Sequence, residues 1–198
     1  MPTVTRGGLR SARFLAAGTA TRILLTPLIM ALVLYGDRGD RTGPAAIVGG
    51  ALFCVAAATD WVDGRLARRW GVTTKLGSFL DTTADKLLVA GVLIALLAAD
   101  RASPWVAAVI IGRELTLLGL RGVIAAEGDV MAPSVLGKLK TSVQFVAITL
   151  AIVRVGEPVA GAFVDEWAML AAAVLTVWSA ADYLVRAVPS LERQGPGR

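Results

Sequence analysis

Four aspartates beside strongly apolar sequence constrain this chain more than any other feature. Asp60 and Asp63 follow the apolar run VAAAT, and Asp81 and Asp85 precede the run KLLVAGVLIALLAA. Burying a carboxylate as an anion next to a nonpolar phase is costly. We therefore expect bound cations to hold these four side chains together.

The spacing of the aspartates predicts how they meet. The first two are three residues apart and the last two are four apart, so on helices each pair shares one face. Gly71 interrupts the segment between the pairs, and residues 72–75 can form a tight turn. A helical hairpin would then bring the pairs face to face, with the small residues Gly64 and Ala67 leaving room for a ligand. Such an all-oxygen cluster suits hard divalent cations such as Mg²⁺ or Mn²⁺.

Composition narrows the class of protein. The 198 residues are 56% hydrophobic, which indicates one integral membrane domain. The net charge of +5 favours contact with anionic headgroups or phosphates. Nucleic acid is not expected as a partner, because basic and aromatic residues are not interleaved along the sequence. The chain has no histidine, so carboxylates must do any acid–base work.

Six apolar segments predict an all-α integral membrane protein with six transmembrane helices. Each segment is near the roughly 20 residues that span a bilayer. The predicted spans are 18–35, 44–59, 79–99, 105–124, 135–153 and 160–184. Residues 1–16 are expected to form an amphipathic arm on the membrane surface, 17–188 the membrane domain, and 189–198 a disordered tail.

The positive residues predict the orientation. Thirteen of the 20 Lys and Arg residues lie in the arm, the 60–76 hairpin, the 121–140 segment, the end of the last span and the tail. The opposite loops carry only Arg38, Arg41, Arg101 and Arg154. The positive-inside bias therefore puts both termini and the aspartates on the cytoplasmic side of the cell inner or plasma membrane.

The aspartates belong to a longer pattern of fixed spacing. The pattern reads Asp60-x2-Asp63-Gly64-x2-Ala67-Arg68-x8-Gly77-x3-Asp81-x3-Asp85. It resembles the signature of the CDP-alcohol phosphotransferase family. The resemblance implies two divalent cations, Mg²⁺ or Mn²⁺, on all four aspartates, with Asp85 also taking the proton of the acceptor alcohol. It also implies a CDP-lipid site, for which the candidates are Gly64, Ala67, Arg68, Thr74, Gly77 and Thr19.

Finer features resemble one branch of that family, the phosphatidylglycerophosphate synthases. They are Gly112-Arg113-Glu114 and Gly137-Lys138-Leu139-Lys140-Thr141-x2-Gln144. Thr19 and Arg22 match the N-x-x-T-x-x-R pattern of this branch, whereas its Asn position is Ala16. The branch implies CDP-diacylglycerol as the donor, sn-glycerol 3-phosphate as the acceptor, a bilayer-embedded chain and a homodimer.

A phosphorylated acceptor requires a second cationic pocket. The candidates are Arg113, Lys138 and Lys140, which lie in or beside apolar spans, and Arg186, which a structural pair with Asp182 explains about as well. A cardiolipin synthase or a phosphatidylinositol-phosphate synthase of the same family stays open as an alternative, since the aspartate pattern does not encode the acceptor. A cation transporter is a remote alternative, because it would not need the Gly, Ala and Arg positions between its acids.

Overall fold

The computed structural model describes residues 6–35, 43–70, 75–126, 134–154 and 157–192. Side chains are described for 17–35, 43–59, 77, 79–125, 134–154 and 157–187. Over this part of the chain the fold consists of six helices without a strand, which confirms the all-α prediction. The helices are α1 (Arg6–Tyr35), α2 (Pro44–Trp70), α3 (Lys75–Ala98), α4 (Pro104–Ala126), α5 (Val135–Val153) and α6 (Val164–Glu192).

Local sequence explains several helix starts. Pro44 and Pro104 occupy the first positions of α2 and α4, where the missing N–H costs no hydrogen bond. Ser134 caps α5, because its hydroxyl oxygen accepts a hydrogen bond of 2.9 Å from the backbone N–H of Gly137. Helix α6 begins at Val164 and not near residue 160, since residues 159–162 form a tight turn with Gly161 at φ 85°.

Three of the described helices contain a segment long and apolar enough to cross a membrane. These segments are Ala17–Tyr35, Val135–Val153 and Val164–Ala187, and α2 has a shorter apolar part, Pro44–Thr59. Helices α3 and α4 each carry at least three charged residues in every 18-residue stretch. The charges that interrupt these two helices include the residues of the candidate site.

The helices at both ends extend beyond the predicted apolar spans. Helix α1 runs without a break from Arg6 through the expected arm into the first apolar segment. At the other end α6 continues to Glu192, so residues 189–192 of the expected tail are helical. The rest of that tail and residues 72–74 of the turn predicted at 72–75 lie outside the described residues, and Lys75 is the first residue of α3.

Helix α3 lies at the centre of the fold and packs against α1, α4 and α5. Its buried residues Leu88, Val92 and Leu96 belong to one apolar core, to which α1, α2, α4, α5 and α6 also contribute. Helices α1 and α3 approach closely at Gly91, where an added Cβ would lie 2.8 Å from Cγ2 of Thr26. This close, parallel packing brings the polar first half of α3 beside α1.

An ion cluster with a buried arginine and aspartate joins α5 to α6 at their connection, and we call Arg154, Asp165 and Glu166 the Arg154 cluster. Arg154 adopts φ 41° directly after α5. Its guanidinium lies 3.3 Å from Oδ2 of Asp165 and 2.9 Å from Oε1 of Glu166. It also lies over the ring of Phe163, 4.6 Å from the centroid.

Candidate active site

The second aspartate pair lies near the start of α3. Asp81 and Asp85 are one helical turn apart, which places them on the same face. Their side chains are partly exposed, 35% for Asp81 and 18% for Asp85. The two carboxylates are therefore accessible, yet each sits among charged partners.

Asp81 is held by α1. Its Oδ1 atom accepts a hydrogen bond of 2.7 Å from Nη1 of Arg22 and one of 3.3 Å from the hydroxyl of Thr19. The Arg22 side chain is fully buried, so its charge needs an anion nearby. Thr19, a predicted CDP-lipid residue, thus lies beside a predicted metal ligand.

The oxygens of this pair fit a hard divalent cation. Asp85 uses one carboxylate oxygen, Oδ2, to contact Nζ of Lys86 at 3.4 Å. Asp81 likewise uses one oxygen, Oδ1, for both Arg22 and Thr19. Within the described part of the chain, Asp81 Oδ2 and Asp85 Oδ1 have no ion-pair or hydrogen-bond partner among the contacts found. Two carboxylate oxygens of this kind are the donors that Mg²⁺ and Mn²⁺ prefer.

A second cluster surrounds a buried carboxylate deeper between the helices, and we call Lys86, Arg113, Glu114 and Lys140 the Glu114 cluster. Glu114 forms ion pairs with Lys86 of α3 through Oε2 and with Lys140 of α5 through Oε1. Nη1 of Arg113 lies 3.0 Å from Oε1 of the same carboxylate. Its Nη2 donates a 3.0 Å hydrogen bond to the hydroxyl of Ser179, so α3, α4, α5 and α6 all meet here.

The structure separates the four residues predicted for the acceptor pocket. Arg113 and Lys140 lie together in the Glu114 cluster. Lys138 is exposed on α5. Arg186 is half exposed and pairs with Asp182 one turn earlier at 2.6 Å, the structural pair that its spacing allowed.

For several predicted residues the structure describes the backbone alone or nothing. Helix α2 includes the positions of the first aspartate pair and of three CDP-lipid candidates, but their side chains are outside the described residues: Asp60, Asp63, Gly64, Ala67 and Arg68. Thr74 lies outside the described residues altogether. Gly77 is exposed on α3, one turn before Asp81.

Two members of this site were absent from the predicted set. Arg22 could have been found from the sequence, because it matches the arginine of the N-x-x-T-x-x-R pattern. Lys86 directly follows Asp85 and reads in sequence as a helix-end charge. Only the packing of α3 on α4 shows that its ammonium joins Asp85 to Glu114.

Comparison with known proteins agrees with this geometry. A family model described as CDP-alcohol phosphatidyltransferase matches residues 16–178. The chain is 45% identical over 138 residues to the CDP-diacylglycerol–glycerol-3-phosphate 3-phosphatidyltransferase of Bacillus subtilis (strain 168), covering 66% of this chain and 72% of the relative. It is 41% identical over 175 residues to the protein of that name from Escherichia coli (strain K12), covering 84% and 90%.

A third relative covers almost the whole chain. The probable phosphatidylglycerophosphate synthase of Mycobacterium tuberculosis (strain ATCC 25618 / H37Rv) is 37% identical over 182 residues, which is 92% of this chain and 85% of the relative. Members of the matching family generally use divalent metal ions, in agreement with the free carboxylate oxygens of α3. The resemblance drawn from the aspartate pattern is confirmed: the chain belongs to the CDP-alcohol phosphatidyltransferase family and is a phosphatidyltransferase.

Proposed function

We propose that this enzyme transfers a phosphatidyl group from CDP-diacylglycerol to sn-glycerol 3-phosphate, giving phosphatidylglycerophosphate and CMP. The observation that carries this proposal is the match to relatives named for that reaction, two of them covered over 85% or more of their length. The pairing of accessible carboxylates on α3 with a cation-rich cluster beside them supports the same chemistry.

In the proposed reaction the acceptor hydroxyl oxygen attacks the phosphorus that carries the diacylglycerol. The bond from this phosphorus to the bridging oxygen of CMP breaks, and CMP leaves with the electron pair. The acceptor's proton passes to Asp85, which fits a chain that has no histidine to act as the base. Phosphatidyl transfer is thereby complete without an added oxidant or reductant.

We assign Asp60, Asp63, Asp81 and Asp85 as ligands of two divalent cations, Mg²⁺ or Mn²⁺. Such ions would neutralise the pyrophosphate and stabilise the charge on departing CMP. Arg22 supports this assignment, because it holds Asp81 through one oxygen and leaves the other oxygen for a cation.

The CDP-lipid site in this proposal lies between α2, α3 and the start of the first apolar segment of α1. Gly64 and Ala67 leave space for the nucleotide, Arg68 pairs with a phosphate, and Thr74 lines the same pocket. Thr19 and Gly77 complete the site, and the contact of Thr19 with Asp81 supports its inclusion. Of the four candidates for the acceptor's phosphate, Arg113, Lys138, Lys140 and Arg186, we propose the two that lie together in the Glu114 cluster, Arg113 and Lys140.

We further propose that residues 17–188 form a membrane domain with six transmembrane helices and both termini in the cytoplasm. The six described helices and the bias of positive residues support this arrangement in the cell inner or plasma membrane. The active site then faces the cytoplasm, where the water-soluble acceptor and CMP are handled. We expect a homodimer by analogy with the family.

The decisive experiment gives purified enzyme CDP-diacylglycerol with a panel of alcohols and measures CMP release and the lipid product by mass spectrometry. We expect glycerol 3-phosphate to be the fastest acceptor. Faster release with phosphatidylglycerol would indicate a cardiolipin synthase, and faster release with inositol phosphate a phosphatidylinositol-phosphate synthase. Topology is tested separately: a cysteine at position 40 that reacts only from the cytoplasm would contradict the six-span arrangement.

A further inference from the structure

The side chains of the Glu114 cluster differ in how open they are. Lys140 is buried, with 2% of its side chain exposed, and Glu114 is 5% exposed. Arg113 is 13% exposed and Lys86 is 26% exposed. Lys86 and Arg113 are therefore the more accessible cations of the cluster, whereas Lys140 is buried against the carboxylate.

The charges of the cluster are unbalanced. Among the described residues three cations contact Glu114, and Asp85, which contacts Lys86, adds a second carboxylate, so one positive charge is left in excess. Excess charge away from water is costly unless a counter-ion can approach. A phosphate monoester is an anion and would supply the missing negative charge.

Lys86 also fixes the cluster next to the reacting groups. Its ammonium pairs with Glu114 and lies 3.4 Å from Oδ2 of Asp85. An anion bound by Lys86 and Arg113 would accordingly lie beside the residue proposed to take the acceptor's proton. In a small phosphorylated alcohol the hydroxyl is only a few bonds from the phosphate, so this closeness suits both ends of the molecule.

We propose that Lys86 joins Arg113 in binding the acceptor's phosphate, and that Glu114, neutralised from behind by Lys140, is the positioning residue that holds them. This inference rests on the proposed function, because it needs a phosphorylated acceptor. It gives Glu114 an active part beyond neutralising its neighbour Arg113. It also replaces Lys140 by Lys86 as the lysine that faces the substrate.

The main test is Glu114→Gln, which keeps the size and shape of the side chain, removes its charge and replaces one acceptor oxygen by a donor NH2 group. Loss of this anchor removes the carboxylate that Lys86 and Arg113 share and leaves them held only by Asp85 and Ser179 among the contacts described above, so we expect the acceptor KM to rise at least about tenfold. The KM for CDP-diacylglycerol should stay within about twofold, because the nucleotide site is not touched. The matched control is Glu166→Gln, the same change at an arginine-paired glutamate of the Arg154 cluster, with the acceptor KM unchanged.

Lys86→Met tests direct binding. Its acceptor KM should also rise at least about tenfold, and Lys86→Arg should restore most of the affinity because it returns the charge. Combining Lys86→Met with Glu114→Gln should raise the KM by less than the product of the two single effects, since both act through one ammonium. Arg121→Gln removes an exposed cation from α4 outside the cluster and should leave both KM values unchanged.

Ser179→Ala is a milder variant for the case in which Glu114→Gln does not fold. It removes only the hydroxyl that receives Nη2 of Arg113, and we expect the acceptor KM to rise about threefold to fivefold. An unchanged acceptor KM in Lys86→Met and Ser179→Ala would overturn the inference. So would equal rises in both KM values, which would make the cluster a general structural support.

Binding of inorganic phosphate separates this inference from the proposed function. Phosphate should raise the melting temperature of wild-type enzyme and of Arg121→Gln more than that of Lys86→Met. If glycerol 3-phosphate gave no turnover but this difference remained, the proposed acceptor would fail and the phosphate site would stand. An equal phosphate effect in wild type and Lys86→Met would overturn the phosphate site whatever the acceptor.

Discussion

The Glu114 cluster and the Arg154 cluster are both partly buried ion networks, one including a lysine of α5 and the other the residue directly after α5, but they differ in net charge and in the number of helices that they join. Lys140 and Arg154 are 14 positions apart, which is about 21 Å along a helix. In the first cluster three cations from three helices surround one carboxylate. In the second, one arginine lies between two acids from the start of the next helix.

The difference in sequence separation suggests different duties. Arg154 meets acids 11 and 12 positions later, so the contact closes as soon as α5 and α6 form a hairpin. Glu114 meets Lys86 and Lys140 at separations of 28 and 26, so its cluster forms only when α3, α4 and α5 have packed. The Glu114 cluster adjoins the aspartates of α3 and retains excess positive charge, whereas the Arg154 cluster stabilises the connection between α5 and α6.

The largest expected effect comes from Asp85→Asn. If Asp85 takes the acceptor's proton, turnover should fall by roughly 10³-fold or more, within the range for a lost general base that is also a metal ligand. Asp165→Asn, in the Arg154 cluster, should keep the turnover of each folded molecule. CMP release measures both variants, and CDP-lipid binding should partly survive in Asp85→Asn. If Asp60→Asn and Asp85→Asn lost binding equally, Asp85 would act only as a metal ligand.

The second largest effect is expected from Asp81→Asn, which should lower turnover by roughly 10²–10³-fold. The reason is the loss of a ligand charge at a carboxylate that Arg22 and Thr19 hold in place. Excess chelator should have the same effect on the wild type. Asp100→Asn removes an exposed acid at the far end of α3 and is the matched control. Normal CMP release from Asp81→Asn would contradict metal binding by this residue.

Sequence predicts much of this molecule because helices and motifs are local. The six apolar segments anticipate six helices, and the spacing of Asp81 and Asp85 anticipates their common face. The Arg186–Asp182 pair is likewise readable from an i,i+4 spacing. The ends of α1 and α6 differ from the predicted spans, since α1 already begins at Arg6 and α6 begins at Val164 and continues to Glu192.

The composition of the clusters could not be predicted in this way. Sequence placed Lys138 and Lys140 together as candidates, but only packing shows that Lys140 is buried and Lys138 exposed. The partner of Arg22 lies 59 positions away, and the link of Lys86 to Glu114 spans 28. Such contacts depend on how helices pack, which a single sequence without long-range information does not specify.

Arg154→Met tests whether the Arg154 cluster stabilises the fold. It leaves Asp165, whose side chain is 2% exposed, without its cation, and such unpaired buried charges destabilise proteins by about 3 kcal/mol or more. We expect a clearly lower melting temperature and an unchanged acceptor KM at a temperature where the variant is folded. A changed acceptor KM with an unchanged melting temperature would mean that the two clusters are not divided between stability and binding.

Lys138→Ala should have the smallest effect on the acceptor KM, and it tests whether this lysine lies outside the phosphate site at the Glu114 cluster. Two positions apart on a helix, Lys138 and Lys140 point in different directions, and in the described part of the chain no carboxylate pairs with Lys138. An exposed, screened charge contributes about 1 kcal/mol or less, so the acceptor KM should rise by less than about fivefold. Arg113→Ala, which removes a cation from within the cluster, should raise it by at least about tenfold under identical conditions. If Lys138→Ala had the larger effect, the acceptor's phosphate would bind at the exposed start of α5, and the pocket around Glu114 would have to be assigned to structure.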